Sequence, residues 1–273
     1  MSLRRVLPSV LAVVFASSGL AACGGGGSGS GAGGSPAGGP TAAQVLLKRT
    51  AAALRRIHSY RASGVSVDRD GRGTLLADVS DDGRLRTTSR STRDGTLSLI
   101  IIGTATYARG DRRYWLRGGG AQGQAAADAF AGRWVKTPPS FGTPLLKTVK
   151  QLQPKTLAHC LPQDLGTLSL ESRTVPDQGR RARIIRDDGA VPGGTEAELW
   201  VAAKGQPLPL RELTHGATRK GGTFDPLCDD PDDTTTRSSY RFSRYDAIPP
   251  IKAPRHPLDL GRLHGAAPGG RSV

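Results

Sequence analysis

From residue 60 to residue 108 apolar and polar positions alternate in short runs, and most of the runs end at an Asp-Gly pair. The runs are Tyr60 to Val67, Gly73 to Ser80, Arg84 to Arg90, Thr96 to Gly103 and Thr104 to Ala108, with Arg113 to Leu116 as a sixth. Asp70-Gly71, Asp82-Gly83 and Asp94-Gly95 fall between them. Period-two alternation predicts strands, and Asp-Gly between such runs is a strong hairpin signal. The turns recur at about eleven residues, a spacing that suits an antiparallel meander. In "TLSLIIIG", Leu97, Leu99 and Ile101 take one face while Ile100 and Ile102 take the other. A strand apolar on both faces is expected inside a sheet rather than at its edge.

The period changes on either side of this meander. In "TAAQVLLKRTAAALRRIHSY" the residues Leu46, Leu47, Thr50, Ala53, Leu54 and Ile57 fall on one helical face, with Lys48, Arg49, Arg55 and Arg56 mostly elsewhere. Thr41 followed by Gln44, just after Pro40, fits a capping box at the helix start. Gln122 to Gly132 predicts a short alanine-rich helix, "RWVKTPPS" an extended exit, and Phe141 to Leu152 a helix stopped before Pro154. Strand signals then return at Gly166 to Val175, Arg180 to Arg186, Glu196 to Ala202, Pro209 to Thr214 and Ser238 to Tyr245. Residues 252 to 273, rich in Pro, Gly and Arg, predict a loose tail. No fixed-period repeat is visible. Strands, helices and strands again predict an α+β fold, one antiparallel sheet folding around helices.

The first forty residues follow another pattern. Arg4 and Arg5 precede a mostly apolar run from Val6 to Leu20, about fifteen residues long, which suits the core of an export signal. That is short of the roughly twenty residues of a membrane span. Leu20-Ala21-Ala22-Cys23 follows and resembles the lipobox of bacterial lipoproteins. In that group residues before the cysteine are removed and the cysteine is acylated on its sulfur and its new amino terminus. Residues 1–22 are therefore expected to be a signal peptide and Cys23 the lipidation site. The alternatives are an ordinary secretory signal with an accidental cysteine and an uncleaved membrane helix. Gly24 to Pro40 carries no charge and almost no side chain to bury, so 23–40 predicts a flexible tether. Its root-mean-square reach is roughly 20–25 Å. Two or more acyl chains would make a stable anchor where one would not.

Composition narrows the picture. Residues 41–273 are enough for one large domain, and at 5% aromatic content the core must be aliphatic. The formal charge is +15, two units of which leave with Arg4 and Arg5. In a cytosolic chain this would raise nucleic acid as a partner, but export argues against it. The absence of asparagine and the excess of arginine over lysine fit a GC-rich coding bias, so part of the basicity need not be functional. The remainder favours anionic headgroups or acidic wall polymers. Cys160 and Cys228 are the other two cysteines. Outside the cytoplasm they are expected to be oxidised, closing a loop worth roughly 4 kcal/mol in the chain-entropy picture. Two free thiols are the alternative.

Catalytic patterns are sparse. His58, His159, His215, His256 and His264 form no pair at metal-ligand spacing. His159 beside Cys160 invites a base–nucleophile reading, yet sequence neighbours point apart and Cys160 has a use as a disulfide partner. "CDDPDD" at 228–233 lacks the spacing of a calcium loop. "GGGAQGQAAADAF" lacks the Lys-Ser/Thr of a phosphate loop, and no nucleophile elbow appears. No metal, cofactor or enzymatic reaction is expected. Arg84, Arg86, Arg90 and Arg93 cluster on one strand and turn, either as a solvated face or as a contact for lipid phosphates.

Several stretches in order resemble one family. They are "SYRASG" after the first helix, "GTATYARGDRRYWL" read as a hairpin with terminal aromatics, "GRWVKTP" closing a helix, "ELWVAAKGQPLPLREL", and "YRFSRYDAIPPIKAP". Together they resemble actinobacterial lipoproteins of the LolA/LppX-LprAFG-like group, over about residues 41 to 254. The resemblance implies a strongly curved antiparallel half-barrel with helices covering its concave face, a single domain at 41–254 and a loose tail at 255–273. It implies no catalytic motif and an aliphatic cavity whose lining varies between members.

Elementary energetics points the same way, since each methylene buried is worth roughly 0.8 kcal/mol and an acyl chain could bind with no hydrogen bond. Leu46, Leu54, Leu97, Leu99, Ile101 and Leu146 are the candidate lining residues; the alternative for each is plain core. The expected function is a non-enzymatic lipoprotein at the outer face of the plasma membrane that binds or shuttles an apolar ligand such as an acyl lipid. The second reading is an envelope protein-interaction or sensor module with a filled core.

Overall fold

Two of the Asp-Gly corners carry the left-handed residue that a tight hairpin requires: Gly83 has φ 81° and Gly95 has φ 87°. Around these corners the chain lays down β1 (Ser59–Asp68), β2 (Gly71–Ser80), β3 (Leu85–Ser91), β4 (Gly95–Ile102) and β5 (Ala105–Gly110). Each pairs antiparallel with the next. The computed structural model describes residues 39–260 except 70, 164, 178, 223, 224, 226 and 229–234. Cys23, its tether and most of the acidic stretch 228–233 lie outside the described residues.

Helix α1 (Ala42–Leu54) precedes the sheet. Its capping box is complete: Gln44 N donates to Thr41 Oγ1 (3.3 Å) and Thr41 N donates to Gln44 Oε1 (2.8 Å). After β5 come α2 (Arg112–Gly118), a single 3₁₀ turn (Gly120–Gln122), α3 (Gly123–Phe130), β6 (Val135–Lys136), α4 (Pro139–Leu152) and α5 (Pro154–Cys160). The second half contributes β7 (Leu168–Leu170), β8 (Val175–Asp177), β9 (Arg180–Asp187), β10 (Glu196–Ala202), β11 (Pro209–His215), β12 (Thr235–Ser243) and β13 (Leu258–Asp259).

The two halves join where β1 pairs antiparallel with β12. The strand order is β13-β6-β5-β4-β3-β2-β1-β12-β11-β10-β9-β7, with β8 on β9. All pairs are antiparallel except β13 with β6. The two ends of that order do not meet, so the sheet stays open. It is the curved half-barrel of an α+β fold, with helices against one face.

The β1–β12 junction depends on Gly64. It sits on the core face, where a Cβ would collide with the Tyr240 ring and the Ser239 carbonyl. Tyr240 is fully buried, so the absent side chain is what lets the aromatic ring lie against the strand.

Three expectations are corrected. Arg113 to Leu116 is helix, not strand, and so "GTATYARGDRRYWL" is a strand followed by a helix rather than a hairpin. Asp111 is the cause: its carboxylate accepts from Tyr114 N (2.8 Å) as an N-cap and from Thr96 N (2.7 Å), fixing a helix start against β4. Pro154 does not simply end a helix; it opens α5 at N1, where its missing N–H is no loss. The stretch expected as the start of a loose tail returns to the sheet: β13 runs beside β6, Leu258 N donates to Trp134 O (2.9 Å), and Lys136 meets Asp259 (3.3 Å).

Candidate functional site

The seam between the concave sheet face and the helices is the first place to look for a ligand. Along β2 and β4 the alternate residues that face inward are aliphatic: Leu75, Ala77 and Val79 on β2, and Leu97, Leu99 and Ile101 on β4. Against them lie Leu46, Leu47 and Leu54 of α1, Leu145, Val149 and Leu152 of α4, and Leu157 of α5, all in one continuous core.

Of the six candidate lining residues, Leu46, Leu54, Leu97, Leu99 and Ile101 are buried members of this core, and Leu146 packs against it half-buried. They share the seam, and none of the six lines the small void at its Leu47–Leu161 end. The void enclosed among Leu47, Leu161, Leu165, Ile185, Leu199 and Glu212 is only about 20 Å³, room for about one water.

Polar features on the seam were not foreseen. Tyr60, fully buried, donates from its hydroxyl to the carbonyl of Leu152 (2.6 Å), so β1 satisfies the C-terminal end of α4. Burial pushes the Tyr60 phenol far above its ordinary range. Phe242 and Tyr245 stand beside it, with ring centroids at 6.1 and 6.4 Å. The Tyr245 hydroxyl donates to Pro209 O (2.5 Å). Thr87 on β3, Thr106 on β5 and Thr148 on α4 bury hydroxyls for which the described residues offer no hydrogen-bond partner. Alternation could have placed Thr87 and Thr106 inward, but nothing in the sequence marks them as unpartnered.

Other groups settle into structural roles. Cys160, at the end of α5, is bonded to Cys228 with a Cα separation of 5.4 Å. The thiol beside His159 is therefore not a nucleophile. His159 Nε2 instead lies 3.1 Å from Asp225 Oδ2, which Gln163 also contacts (3.2 Å). The Leu227 backbone N–H (2.8 Å) holds the Asp225 carboxyl below its usual range, with help from Gln163 and His159. His159, Asp225 and Cys228 converge at metal-ligand distances, but the Cys228 sulfur is spent on the disulfide.

The four clustered arginines do not act together. Arg84 pairs with Asp82 (2.9 Å) and Arg86 with Asp78, while Arg93 sits beside Asp94 (3.9 Å). Asp78 is buried on the outer sheet face and also takes a two-pronged contact from Arg61 (2.6 and 2.9 Å). Burial alone would raise the Asp78 carboxyl, but hydrogen bonds from Arg61 and Arg86 outweigh it and hold it low. Arg90 makes no ion pair among the described residues.

Comparison with known proteins gives a likeness of fold. No family model matches the chain, and no curated protein matches it. Among solved structures it is similar to the lipoprotein LppX of Mycobacterium tuberculosis, at 10% identity and a TM-score of 0.46 over 76% of this chain and 98% of that one. It is also similar to LprF from Mycobacterium bovis, at 13% identity and a TM-score of 0.49 over 78% of this chain and 96% of that one. MucB follows at 18% identity and a TM-score of 0.38, over 80% of this chain and 64% of that one. LppX and LprF are of the half-barrel lipoprotein group that the sequence resembles. At these scores the likeness is one of chain path and carries no argument about ligand or partner.

Proposed function

We propose that this chain is a membrane-tethered, extracytoplasmic, non-enzymatic protein that holds an apolar ligand such as an acyl lipid between its helices and the concave face of its sheet. The observation that carries the reading is the seam itself, largely aliphatic but set with three buried hydroxyls, Thr87, Thr106 and Thr148, that lack partners among the described residues. Each such hydroxyl costs about 1–3 kcal/mol when buried alone. A ligand with an apolar body and a polar end would satisfy both features. At the Leu47–Leu161 end of the seam the void of about 20 Å³ is far smaller than an acyl chain, so entry there requires the helices to lift from the sheet. Anchoring at Cys23 and a position on the outer face of the plasma membrane rest on the lipobox-like Leu20-Ala21-Ala22-Cys23. The reading has no catalytic step, and Cys160, the thiol nearest to one by sequence, is bonded to Cys228.

The continuous aliphatic core along the seam also supports a second reading, in which the half-barrel is an interaction or sensor module of the envelope that docks on another protein with its core closed. One experiment separates the two. The full chain is purified from an exporting, oxidising host in mild detergent and examined by native mass spectrometry with lipid extraction. A stoichiometric lipid bound beyond the anchor supports the ligand reading. A chain that carries none, and takes up neither fatty acid nor phospholipid, favours the interaction module.

A further inference from the structure

The outer face of the sheet, away from the helices, carries an open groove of about 580 Å³ across β3, β2, β1, β12 and β11. Its floor is made of short hydroxyl side chains, Ser63, Thr74, Thr88 and Ser239, and its rims carry Arg90, Arg211 and Arg241. Arg211 and Arg241 are direct cross-strand partners on this face. Such partners stand about 4.5–5.5 Å apart at Cβ, where like charges are destabilising. Among the described residues neither makes an ion pair. The acidic groups of this face are engaged elsewhere: Asp78 with Arg61 and Arg86, Glu198 with Arg186 and the Trp200 indole.

Arg211 is also held in place. Its guanidinium lies over the Trp200 ring, 5.4 Å from the centroid, and Nη2 donates to Ser239 Oγ (3.3 Å). Its Nε is buried with no partner among the described residues. The result is a fixed guanidinium, a second one directly beside it, and hydroxyls at their feet, with no ion pair to either arginine among the described residues. Arginine forks suit phosphate oxygens in this arrangement. Beside the pair, Val65 and Leu76 line the same groove, and Leu76 is 42% exposed. A free phosphate would leave that apolar wall wet, whereas a phospholipid places glycerol and the start of its chains there.

We propose that Arg211 and Arg241, with Arg90 on the far rim, form a binding groove for the phosphate of an anionic lipid headgroup. The membrane-tethered reading supplies the source of that lipid; the site itself rests on the groove alone. A tether reaching roughly 20–25 Å lets the sheet turn this face to the bilayer. Arg90 stands three strands from Arg241, roughly 14 Å away at the usual strand spacing, so the groove is wide enough for a headgroup lying along it.

The test uses the chain from residue 23 onward, secreted behind an ordinary cleavable leader and carrying Cys23→Ser, so that no acyl group holds it to a bilayer. It is floated with phosphatidylcholine vesicles with and without phosphatidylglycerol. Binding is expected only with phosphatidylglycerol. It should weaken about tenfold in Arg241→Gln, the loss of one charge-assisted phosphate contact, and less in Arg241→Lys, which keeps the charge and loses the fork. Arg55→Gln, the same charge change at the exposed C-cap of α1, should stay within about twofold at physiological salt. Equal loss in Arg55→Gln and Arg241→Gln would reduce the effect to net charge and overturn the site. Displacement by inorganic phosphate at matched ionic strength would assign the groove to free phosphate and overturn the lipid source. Absence of binding to either vesicle overturns the proposal outright and leaves the anchoring at Cys23 untouched.

Discussion

Replacing Tyr60 with Phe removes one oxygen from the seam and leaves its packing in place. In the wild type that hydroxyl donates to Leu152 O at 2.6 Å, and both groups are buried. The carbonyl belongs to the last turn of α4, where intrahelical donors run out. Phe would keep the ring contacts with Phe242 and Tyr245 and leave the carbonyl without the hydroxyl. An orphaned buried acceptor costs about 1–3 kcal/mol, and the removed phenol no longer has to be desolvated, so a net loss of about 1.5 kcal/mol is expected. In a domain of this size that lowers the melting temperature by roughly 3–6 °C. Urea unfolding followed by circular dichroism at constant slope gives the free energy directly. Hydrogen exchange adds the location: the last-turn amides of α4 should lose protection before those of β4. A Tyr60→Phe chain as stable as wild type, with unchanged exchange in α4, would refute the claim that this bond fastens the helix to the sheet.

Further consequences can be checked separately. Breaking the Cys160–Cys228 bridge by Cys160→Ser with Cys228→Ser frees a loop of 68 residues in sequence separation and should cost up to about 4 kcal/mol, read as a urea midpoint below that of the oxidised wild type. Asp78→Asn leaves Arg61 and Arg86 without their buried carboxylate and should cost about 2 kcal/mol near neutral pH, reduced from the fully buried case because both arginines are partly exposed. Because the folded Asp78 carboxyl is held below its ordinary 3.8, its contribution is present above that pH and is lost as pH falls through the folded value. The wild-type advantage over Asp78→Asn should therefore be flat from pH 7 to 5 and shrink below pH 4. His58 runs the other way: the hydrogen bond to Asp81 (2.8 Å) raises its pKa above 6.5, so nuclear magnetic resonance titration should place it higher in wild type than in Asp81→Asn. Metabolic palmitate should label the wild-type chain and leave Cys23→Ala unlabelled.

What the sequence told in advance depended on whether the determinant was local. β10 is found at the bounds that alternation assigns, Glu196–Ala202, because strand period and flanking glycines are both short-range. The capping box of α1 is equally local and is fully formed. Arg113–Leu116 reads as strand because Tyr114 and Trp115 favour strands, while the deciding contact, Thr96 N to the Asp111 carboxylate, crosses fifteen residues. β13 joins β6 across more than a hundred and twenty residues in a two-residue parallel pair, which no pattern in either segment announces. The seam was legible as an aliphatic stripe on several strands and helices. The width of the gap beneath the helices was not, since a few ångströms of helix–sheet separation decide it and no local pattern encodes them.

The arginines show the same limit from the electrostatic side. Composition presents an excess of positive charge and cannot say which cations are spent. In the fold Arg61 and Arg86 converge on Asp78, and Arg186 bridges Glu171 and Glu198, so much of the outer-face charge is internally neutralised. What stays uncompensated is a register effect: β11 and β12 pair so that Arg211 meets Arg241, and a slip of one residue would turn the slipped strand's arginine to the core face. The register is in turn held by the buried Thr214–Ser238 contact (2.8 Å) and by Tyr240 against Gly64. The charge pair is thus fixed by core packing on the opposite face. Gly64→Ala should therefore disturb both faces of the sheet at once, lowering stability through Tyr240 and weakening vesicle binding at the headgroup groove without altering any arginine.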